Sequence, residues 1–138
     1  MIRVRSPRDL IQEQHYPDKF KVLVCCLLLN RCRGETVRNV LDTLFTRFPD
    51  AAKMAHADVK ELTAVLQSLG FQNQRAKRLI EFSKAYEVGF SDVKQLPGVG
   101  QYAADCHRIF FEEDLGDEPP DDKALVDYWV WAKSGGWT

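Results

Sequence analysis

The sequence has no long hydrophobic run. None of its apolar stretches approaches the roughly 18 to 20 residues that a membrane-spanning helix needs. The first residues, 1–5, read MIRVR and lack the apolar core of a signal peptide. With 45% hydrophobic and 28% charged residues, the composition is typical of a folded globular protein and excludes collagen-like or disordered chains. We therefore expect one intracellular domain over residues 1–138.

Cysteines are few, and their spacing does not suit a metal. The four cysteines are Cys25, Cys26, Cys32 and Cys106, and none forms the C-x2-C pair that zinc or iron–sulfur sites use. Adjacent helical cysteines point in different directions. We interpret all four as reduced residues that pack in the interior.

Alternating runs of Val, Ile and Thr are also absent, so strands are not predicted. Apolar residues recur instead at helical spacing, which predicts an all-α protein. The second helix, opened by Pro17 and Asp18 and apolar on nearly all sides to Leu28, is predicted to be the central buried one. Helices are predicted over 9–14, 18–28, 35–48, 50–56, 59–69, 74–86, 92–95 and 101–110, and from 121 onward.

The net charge of −1 conceals an asymmetry along the chain. Residues 1–110 hold 17 Lys and Arg against 12 Asp and Glu, a net +5, whereas residues 111–138 hold 2 against 8, a net −6. Local patches rather than the total charge set the field near a surface. A basic body of this kind is compatible with a polyanionic partner.

The stretch 96–100, LPGVG, lies between a short helix and an amphipathic one. This order is the pattern of a helix-hairpin-helix. Gly98 and Gly100 permit positive φ and remove side chains, so that N–H groups at the start of the next helix can face an anion such as a DNA phosphate. With Val99 between them, they are candidate DNA-binding residues. The alternative is a tight turn whose glycines only let two helices pack.

Several motifs in order resemble one family. Downstream of the hairpin come a helix, a loop with Gly116, Pro119 and Pro120, and the pair Asp121–Asp122 at the head of another helix. The chain is thereby similar to the endonuclease III superfamily of helix-hairpin-helix-GPD DNA glycosylases. Within it, the resemblance is greatest to the mismatch glycosylases that carry a methyl-CpG-binding domain. The matching segments are SPRDLIQE, LLLNRCRG, LGFQNQRAKRLIEFSKAY, LPGVGQYAADCHRIF and DKALVDYW.

The resemblance implies an activity and a partner. It implies a monofunctional DNA glycosylase of base excision repair that removes thymine or uracil, or related modified pyrimidines, mispaired with guanine. The expected partner is double-stranded DNA with a G·T or G·U mismatch, bound by a monomer, in the nucleus if the cell is eukaryotic. Two alternatives remain: a DNA-binding module without catalysis, and a glycosylase for an oxidised pyrimidine or a mispaired adenine.

Asp122 is the predicted catalytic residue. Breaking an N-glycosidic bond passes through an oxocarbenium-like sugar, which a nearby carboxylate stabilises. The offset of Asp122 to Leu125 and Tyr128 agrees with the family pattern D-x-x-L-x-x-Y, whereas Asp121 is out of register. The alternative role for both aspartates is to cap the last helix, and Asp121 is the predicted cap.

Tyr102 stands where bifunctional members of the family carry a Schiff-base lysine. The resemblance therefore implies hydrolysis without strand cleavage. Those members also hold an iron–sulfur cluster after the last helix, and no cysteine follows Cys106 here. No metal cofactor is implied, and only a structural monovalent cation at the hairpin is left open.

The resemblance also assigns residues that handle the flipped nucleotide. Gln12 matches the glutamine that hydrogen-bonds the base, and Tyr102 lies beside the ring. Arg31 matches the plug that fills the vacated space. Leu69 and Phe71 match the wedge that presses on the opposite strand. Without the family resemblance, Gln12 is interpreted as a surface residue and Tyr102 as a core aromatic. Arg31 is then a solvated arginine, and Leu69 and Phe71 are core hydrophobic residues.

Basic side chains are the remaining candidates. They are predicted to meet phosphates, although each is equally compatible with a solvated charge: Arg75, Lys77, Lys94, Arg108 and Lys123. His107 has no partner that the sequence reveals, and we assign it no role.

Overall fold

The computed structural model describes residues 6–137, and within this part of the chain it contains helices and no strand. The all-α prediction is confirmed. The segment 1–5, for which no signal peptide is predicted, and Thr138 lie outside the described residues. The α-helices are α1 (Ile11–His15), α2 (Lys19–Leu29), α3 (Gly34–Arg47), α4 (Ala51–Ala55), α5 (Val59–Val65), α6 (Gln72–Val88), α7 (Gln101–Phe111) and α8 (Lys123–Trp131).

Short turns complete the element order. Two 3-10 turns, Gln67–Leu69 and Val93–Gln95, precede α6 and the hairpin, and a wide turn over Ala132–Gly136 ends the chain after α8. In the range 6–137, no helix combines the length and the apolar character needed to cross a bilayer.

Helix α2 is the centre of the fold, as its apolar sequence predicts. One side, with Leu23 and Leu28, packs into a cluster formed with α3 to α6. The other side, with Val22 and Cys26, packs into a second cluster formed with α7 and α8. These four side chains are at most 2% exposed. Helix α2 therefore contributes buried side chains to both clusters.

Aromatic side chains fill the first cluster between α2 and α6. Phe82 is fully buried, and its ring lies 5.8 Å from Phe20 and 6.0 Å from Tyr86. Ring contacts of this kind add to the apolar area removed from water. They fix α6 against α2 and so position the N-terminal end of α6.

The second cluster positions the start of α8. Phe110 of α7 packs against Tyr128 of α8, with ring centroids 4.8 Å apart. The Trp129 indole N–H donates to the Leu115 carbonyl at 2.6 Å, which ties the acidic loop back onto α8. The N-terminal end of α8, with Asp122, is thereby held beside α7.

The predicted helix over 59–69 is interrupted. Helix α5 ends at Val65, and the 3-10 turn follows. Leu66 and Leu69 both stay buried, because residues three apart fall on one side of a 3-10 turn. Gly70 and Phe71 then reverse the chain with φ of 75° and 48°, so α6 begins at Gln72 rather than at the predicted position 74.

The four cysteines are free thiols, and three of them pack in the interior as predicted. Cys25, Cys26 and Cys106 are buried, and Cys32 is partly buried. Burial raises the pKa of the Cys25 and Cys106 thiols well above their ordinary value. Both side chains therefore stay protonated and act as small apolar residues.

Replacing Phe82 with alanine is expected to lower the free energy of unfolding by about 3 to 5 kcal/mol, because a fully buried ring is removed from a packed cluster. Val88→Ala on the same helix is the control, since Val88 is 88% exposed. Its effect should stay within ~0.5 kcal/mol. Urea unfolding of both variants measures the difference, and equal losses would show that α6 does not anchor the core.

Candidate functional site

A cavity of about 780 Å³ opens between α1, the C-terminal end of α2, the hairpin and the start of α8. We call it the large cavity. It lies beside the second cluster, since Cys26 and Ala103 contribute to both. Six of the residues predicted from the sequence line it: Gln12, Arg31, Gly98, Gly100, Tyr102 and Asp122.

Gln12 reaches the cavity from α1 and is only 1% exposed. Its amide nitrogen donates to the Tyr102 hydroxyl at 2.5 Å and lies 3.8 Å from the Cys26 sulfur. Helix α1 is held in place by Glu13, whose carboxylate accepts from the Ser6 hydroxyl at 2.7 Å. Gln12 is thus a buried, bonded amide rather than a surface glutamine.

Tyr102 projects from the first turn of α7 toward the same cavity. Burial raises the pKa of Tyr102 far above its ordinary value, and neighbouring Cys26, Cys106 and Asp122 contribute in the same direction. The phenol therefore stays protonated across the physiological range. Because its oxygen already accepts from Gln12, the hydroxyl proton is available for a group that enters the cavity.

Asp122 is the N-cap residue of α8. Its Oδ2 atom accepts from the Leu125 backbone N–H at 3.1 Å. The prediction that Asp121 is the cap is wrong, because α8 starts at Lys123 and the cap is the residue immediately before it. The Asp122 side chain is exposed and lines the cavity. Within 6–137, no hydrogen bond reaches its other oxygen, Oδ1.

Arg31 stands between the large cavity and a smaller neighbour. The small cavity, of about 270 Å³, is lined by Phe71 and Arg78 as well as by Arg31, which also lines the large one. Among the described residues, no hydrogen bond or ion pair engages the exposed Arg31 side chain. Phe71 is 65% exposed. Both side chains are therefore presented to solvent at the edge of the small cavity.

Arg31 and Phe71 share an unusual backbone conformation. Their φ angles are 63° and 48°, in the left-handed region that costs a residue with a side chain roughly 1 to 2 kcal/mol. Such strain persists only where the surroundings enforce it. The two loops that carry these side chains are therefore held by other contacts.

Several basic residues predicted to meet phosphates are already engaged. Arg75 donates to the carbonyls of Gly70 and Asn30, at 2.9 and 3.1 Å. Arg108 forms an ion pair with Asp105 at 3.0 Å. The Lys94 ammonium donates to the side-chain oxygen of Gln101 at 3.1 Å, while Lys77 and Lys123 are exposed.

Leu69 and Val99, both candidate DNA-binding residues, pack their side chains into the core clusters. Leu69 is 8% exposed and belongs to the first cluster, because its side chain completes the core beneath the turn before Phe71. Val99 is half-buried between the two clusters. The Leu69 side chain is therefore not available to a partner, whereas part of the Val99 side chain remains accessible.

The fold requires a glycine at only one of the two hairpin positions. Gly98 has a φ of 85°, and a Cβ there would lie 2.8 Å from Leu27 Cδ2 and 2.9 Å from Arg78 Cδ. Gly100 has an ordinary extended conformation, and a Cβ there would meet nothing within 4 Å. Gly100 is also the N-cap of α7 and supplies no side-chain cap. The first N–H groups of α7 are thus left uncovered toward the cavity.

The described residues offer little to a metal ion. Within 6–137, no group of His, Cys, Asp and Glu side chains has a metal-binding arrangement. His107 does have a partner, since its Nδ1 lies 3.1 Å from a Glu112 carboxylate oxygen. The absence of an iron–sulfur cluster and the hairpin cation both remain predictions.

Three features of the site were not found from the sequence. Cys26 lines the cavity and contacts Gln12, Arg75 bonds two loops, and Arg8 pairs with Asp127 at 3.1 Å across the cavity rim. Each joins segments far apart in the chain. Local spacing carries no signal for such contacts.

Comparisons with known proteins identify the family of the chain. Residues 24–132 match the family described as HhH-GPD superfamily base excision DNA repair protein. Over 126 residues the chain is 37% identical to the Methyl-CpG-binding domain protein 4-like protein of Arabidopsis thaliana, a match that covers 91% of this chain and 28% of that protein.

Two further similarities extend the comparison. Over 110 residues the chain is 32% identical to the Thymine-DNA glycosylase of Aeropyrum pernix, covering 74% of this chain and 49% of that protein. The solved structure of a thermostable thymine-DNA glycosylase superposes with a TM-score of 0.68 at 21% identity, covering 75% of this chain and 51% of that chain. This last likeness shows a shared fold. The chain spans half or less of the length of these curated relatives.

The hairpin glycines yield a stability test. Gly98→Ala is expected to lower the free energy of unfolding by about 2 to 4 kcal/mol, because it combines left-handed strain with overpacking. Gly100→Ser should change it by less than ~0.5 kcal/mol, since serine is a good N-cap and the space is open. Denaturant unfolding measures both. A large loss at Gly100 would mean that the fold itself requires this glycine.

Proposed function

The chain belongs to the HhH-GPD superfamily of base excision DNA repair proteins, and on this premise we propose that it is a monofunctional DNA glycosylase that removes thymine or uracil mispaired with guanine. One observation carries the proposal. The Asp122 carboxylate, the Gln12–Tyr102 pair and the unengaged Arg31 border a single cavity of about 780 Å³.

The hairpin binds the DNA backbone. Uncovered N–H groups at the start of α7 can bind a phosphate oxygen, and the helix dipole favours an anion there. The open space at Gly100 supports this role, because no atom of the described residues would meet a Cβ there. Such a contact positions the duplex but carries no sequence information.

The large cavity receives the flipped base. The imide edge of thymine or uracil presents a donor between two acceptors, and an amide with a neighbouring hydroxyl offers complementary groups. Gln12 and Tyr102 are held together by their hydrogen bond, so the pair is preorganised. Because the Tyr102 phenol stays protonated, it donates to a base carbonyl.

Asp122 carries the chemistry. As the C1′–N1 bond breaks, the base leaves with the bonding electrons and positive charge develops on the sugar. The carboxylate stabilises that charge, orients a water molecule whose oxygen bonds to C1′, and accepts the proton that the water releases. The hydrogen bond from the Leu125 backbone N–H fixes one oxygen of the Asp122 carboxylate. The other oxygen is left to stabilise the charge and to accept the proton.

Strand cleavage is not part of the proposal. A β-lyase reaction needs an amine that attacks C1′. Among the described residues that line the large cavity, the basic side chains are Arg8, Arg31 and Arg38, and no lysine is present. Water is then the nucleophile, and the product is an intact strand with an abasic site.

Arg31 and Phe71 stabilise the distorted duplex. Flipping a base leaves a gap, and a side chain that fills it offsets the lost stacking. Arg31 lies next to the large cavity, from which it can enter the gap. Phe71, with its ring 65% exposed beside the small cavity, presses on the opposite strand.

A duplex with one G·T or G·U pair should break at the mismatched pyrimidine only after incubation with the protein followed by hot alkali, because hydrolysis leaves an alkali-labile abasic site. Matched G·C and A·T duplexes, and duplexes with an oxidised pyrimidine or with adenine opposite 8-oxoguanine, are the controls. Strand breaks without alkali, or borohydride trapping on DNA, would contradict the monofunctional proposal. Excision only from the control lesions would show that the substrate is an oxidised pyrimidine or a mispaired adenine instead.

Asp122→Asn should reduce single-turnover excision by at least ~10²-fold while mismatch binding and thermal stability stay close to wild type. Asparagine is as good an N-cap as aspartate, so this change removes the charge and keeps the cap. Asp121→Asn, at the exposed neighbour that does not cap, is the matched control and should retain activity. Equal activity of the two variants would remove Asp122 from catalysis.

A further inference from the structure

We propose that Arg75 is a positioning residue that locks the loops of Arg31 and Phe71 to each other, so that plug and wedge meet the duplex at a fixed spacing. The inference rests on the proposed function. It replaces the phosphate contact that the sequence predicts for Arg75.

The hydrogen bonds of Arg75 select two particular peptide groups. Its Nε donates to the Gly70 carbonyl at 2.9 Å, and its Nη2 donates to the Asn30 carbonyl at 3.1 Å. These carbonyls belong to the peptide bonds immediately before Phe71 and Arg31. One guanidinium therefore fixes the peptide planes that lead into both probing side chains.

Those two planes are where the backbone is strained. Arg31 and Phe71 are both left-handed, and neither is glycine. A strained residue keeps its conformation only where neighbouring contacts enforce it. Arg75 supplies such a contact at each site from a single rigid group.

Other contacts place the same two loops side by side. The Cys32 thiol donates to the Leu69 carbonyl at 3.5 Å, joining the residue after Arg31 to the turn before Gly70. The third Arg75 nitrogen, Nη1, lies 3.4 Å from the Leu28 carbonyl near the end of α2. The backbone of α6 contributes as well, since the Arg75 N–H donates to the Phe71 carbonyl at 2.9 Å.

The chemistry of this position requires arginine. A planar guanidinium has N–H groups that point in several directions at once, so it spans two carbonyls on different loops. A lysine ammonium keeps the charge but is a single compact centre and cannot hold both planes. Lysine and arginine would be nearly equivalent, by contrast, if the residue only neutralised a phosphate.

The experiment compares Arg75→Met and Arg75→Lys with Lys84→Met, a control at an exposed position on the same helix. The first readout is amide hydrogen exchange without DNA at residues 30–32 and 70–72, which reports loop locking independently of activity. The second is single-turnover excision from a G·U duplex. The third is the salt dependence of affinity for the same duplex.

For Arg75→Met, we expect faster amide hydrogen exchange in both loops. Excision should be about 10²-fold slower, because a small misplacement of a positioning group lowers the rate by about that factor. Arg75→Lys should stay at least ~10-fold below wild type, and Lys84→Met should keep the wild-type exchange and rate. The slope of log affinity against log salt should not change in Arg75→Met, because no phosphate contact is lost. Thermal unfolding checks that each variant is folded.

Three outcomes would overturn the inference. Full activity of Arg75→Lys, together with a slope reduced by about 0.9 in Arg75→Met, would make Arg75 a phosphate contact. Faster exchange in only one loop would mean that the loops are held separately. Unchanged hydrogen exchange in both loops would show that Arg75 does not hold them in place. If the wild-type protein excises nothing, the proposed function fails, while the exchange experiment still decides the role of Arg75.

Discussion

The burial of α2 on two opposite sides is the constraint on which the rest of the structure depends. Leu23 and Leu28 belong to one apolar cluster, and Val22 and Cys26 to the other, so neither cluster can form without this helix. Its C-terminal end leads directly into Arg31. A helix that is packed all round cannot rotate or slide without opening the core, so the site inherits its rigidity from the hydrophobic effect.

Under the proposed function, Asp122 combines a structural and a chemical role. As the N-cap of α8 it satisfies the Leu125 amide, and this bond orients the carboxylate toward the cavity. The cap is secure because the contact of Tyr128 with Phe110 holds α8 against α7. The two readings that the sequence offers for this aspartate, cap and catalyst, are therefore compatible rather than exclusive.

The sequence predicts those features that depend on local pattern. The all-α fold and the buried α2 follow from periodicity, whereas the gathering of Gln12, Tyr102 and Asp122 is implied by the family resemblance. The burial of Leu69 and the lock formed by Arg75 follow from neither, because they depend on packing between segments up to 47 residues apart. No short-range rule reports which backbone carbonyl an arginine will reach across that separation.

Under the proposed function, three departures from local conformational rules lie on the surface that meets DNA. Gly100 is a glycine where the fold would accept a side chain, whereas Arg31 and Phe71 carry side chains where the backbone would prefer glycine. A folded protein keeps such mismatches where function requires them. At Gly100, the proposed partner approaches too closely for a Cβ. At Arg31 and Phe71, a long side chain must project outward despite backbone strain of roughly 1 to 2 kcal/mol each. Since all three residues line the two adjoining cavities, a single external body explains them together, and a duplex with one nucleotide turned out of its stack has the required shape.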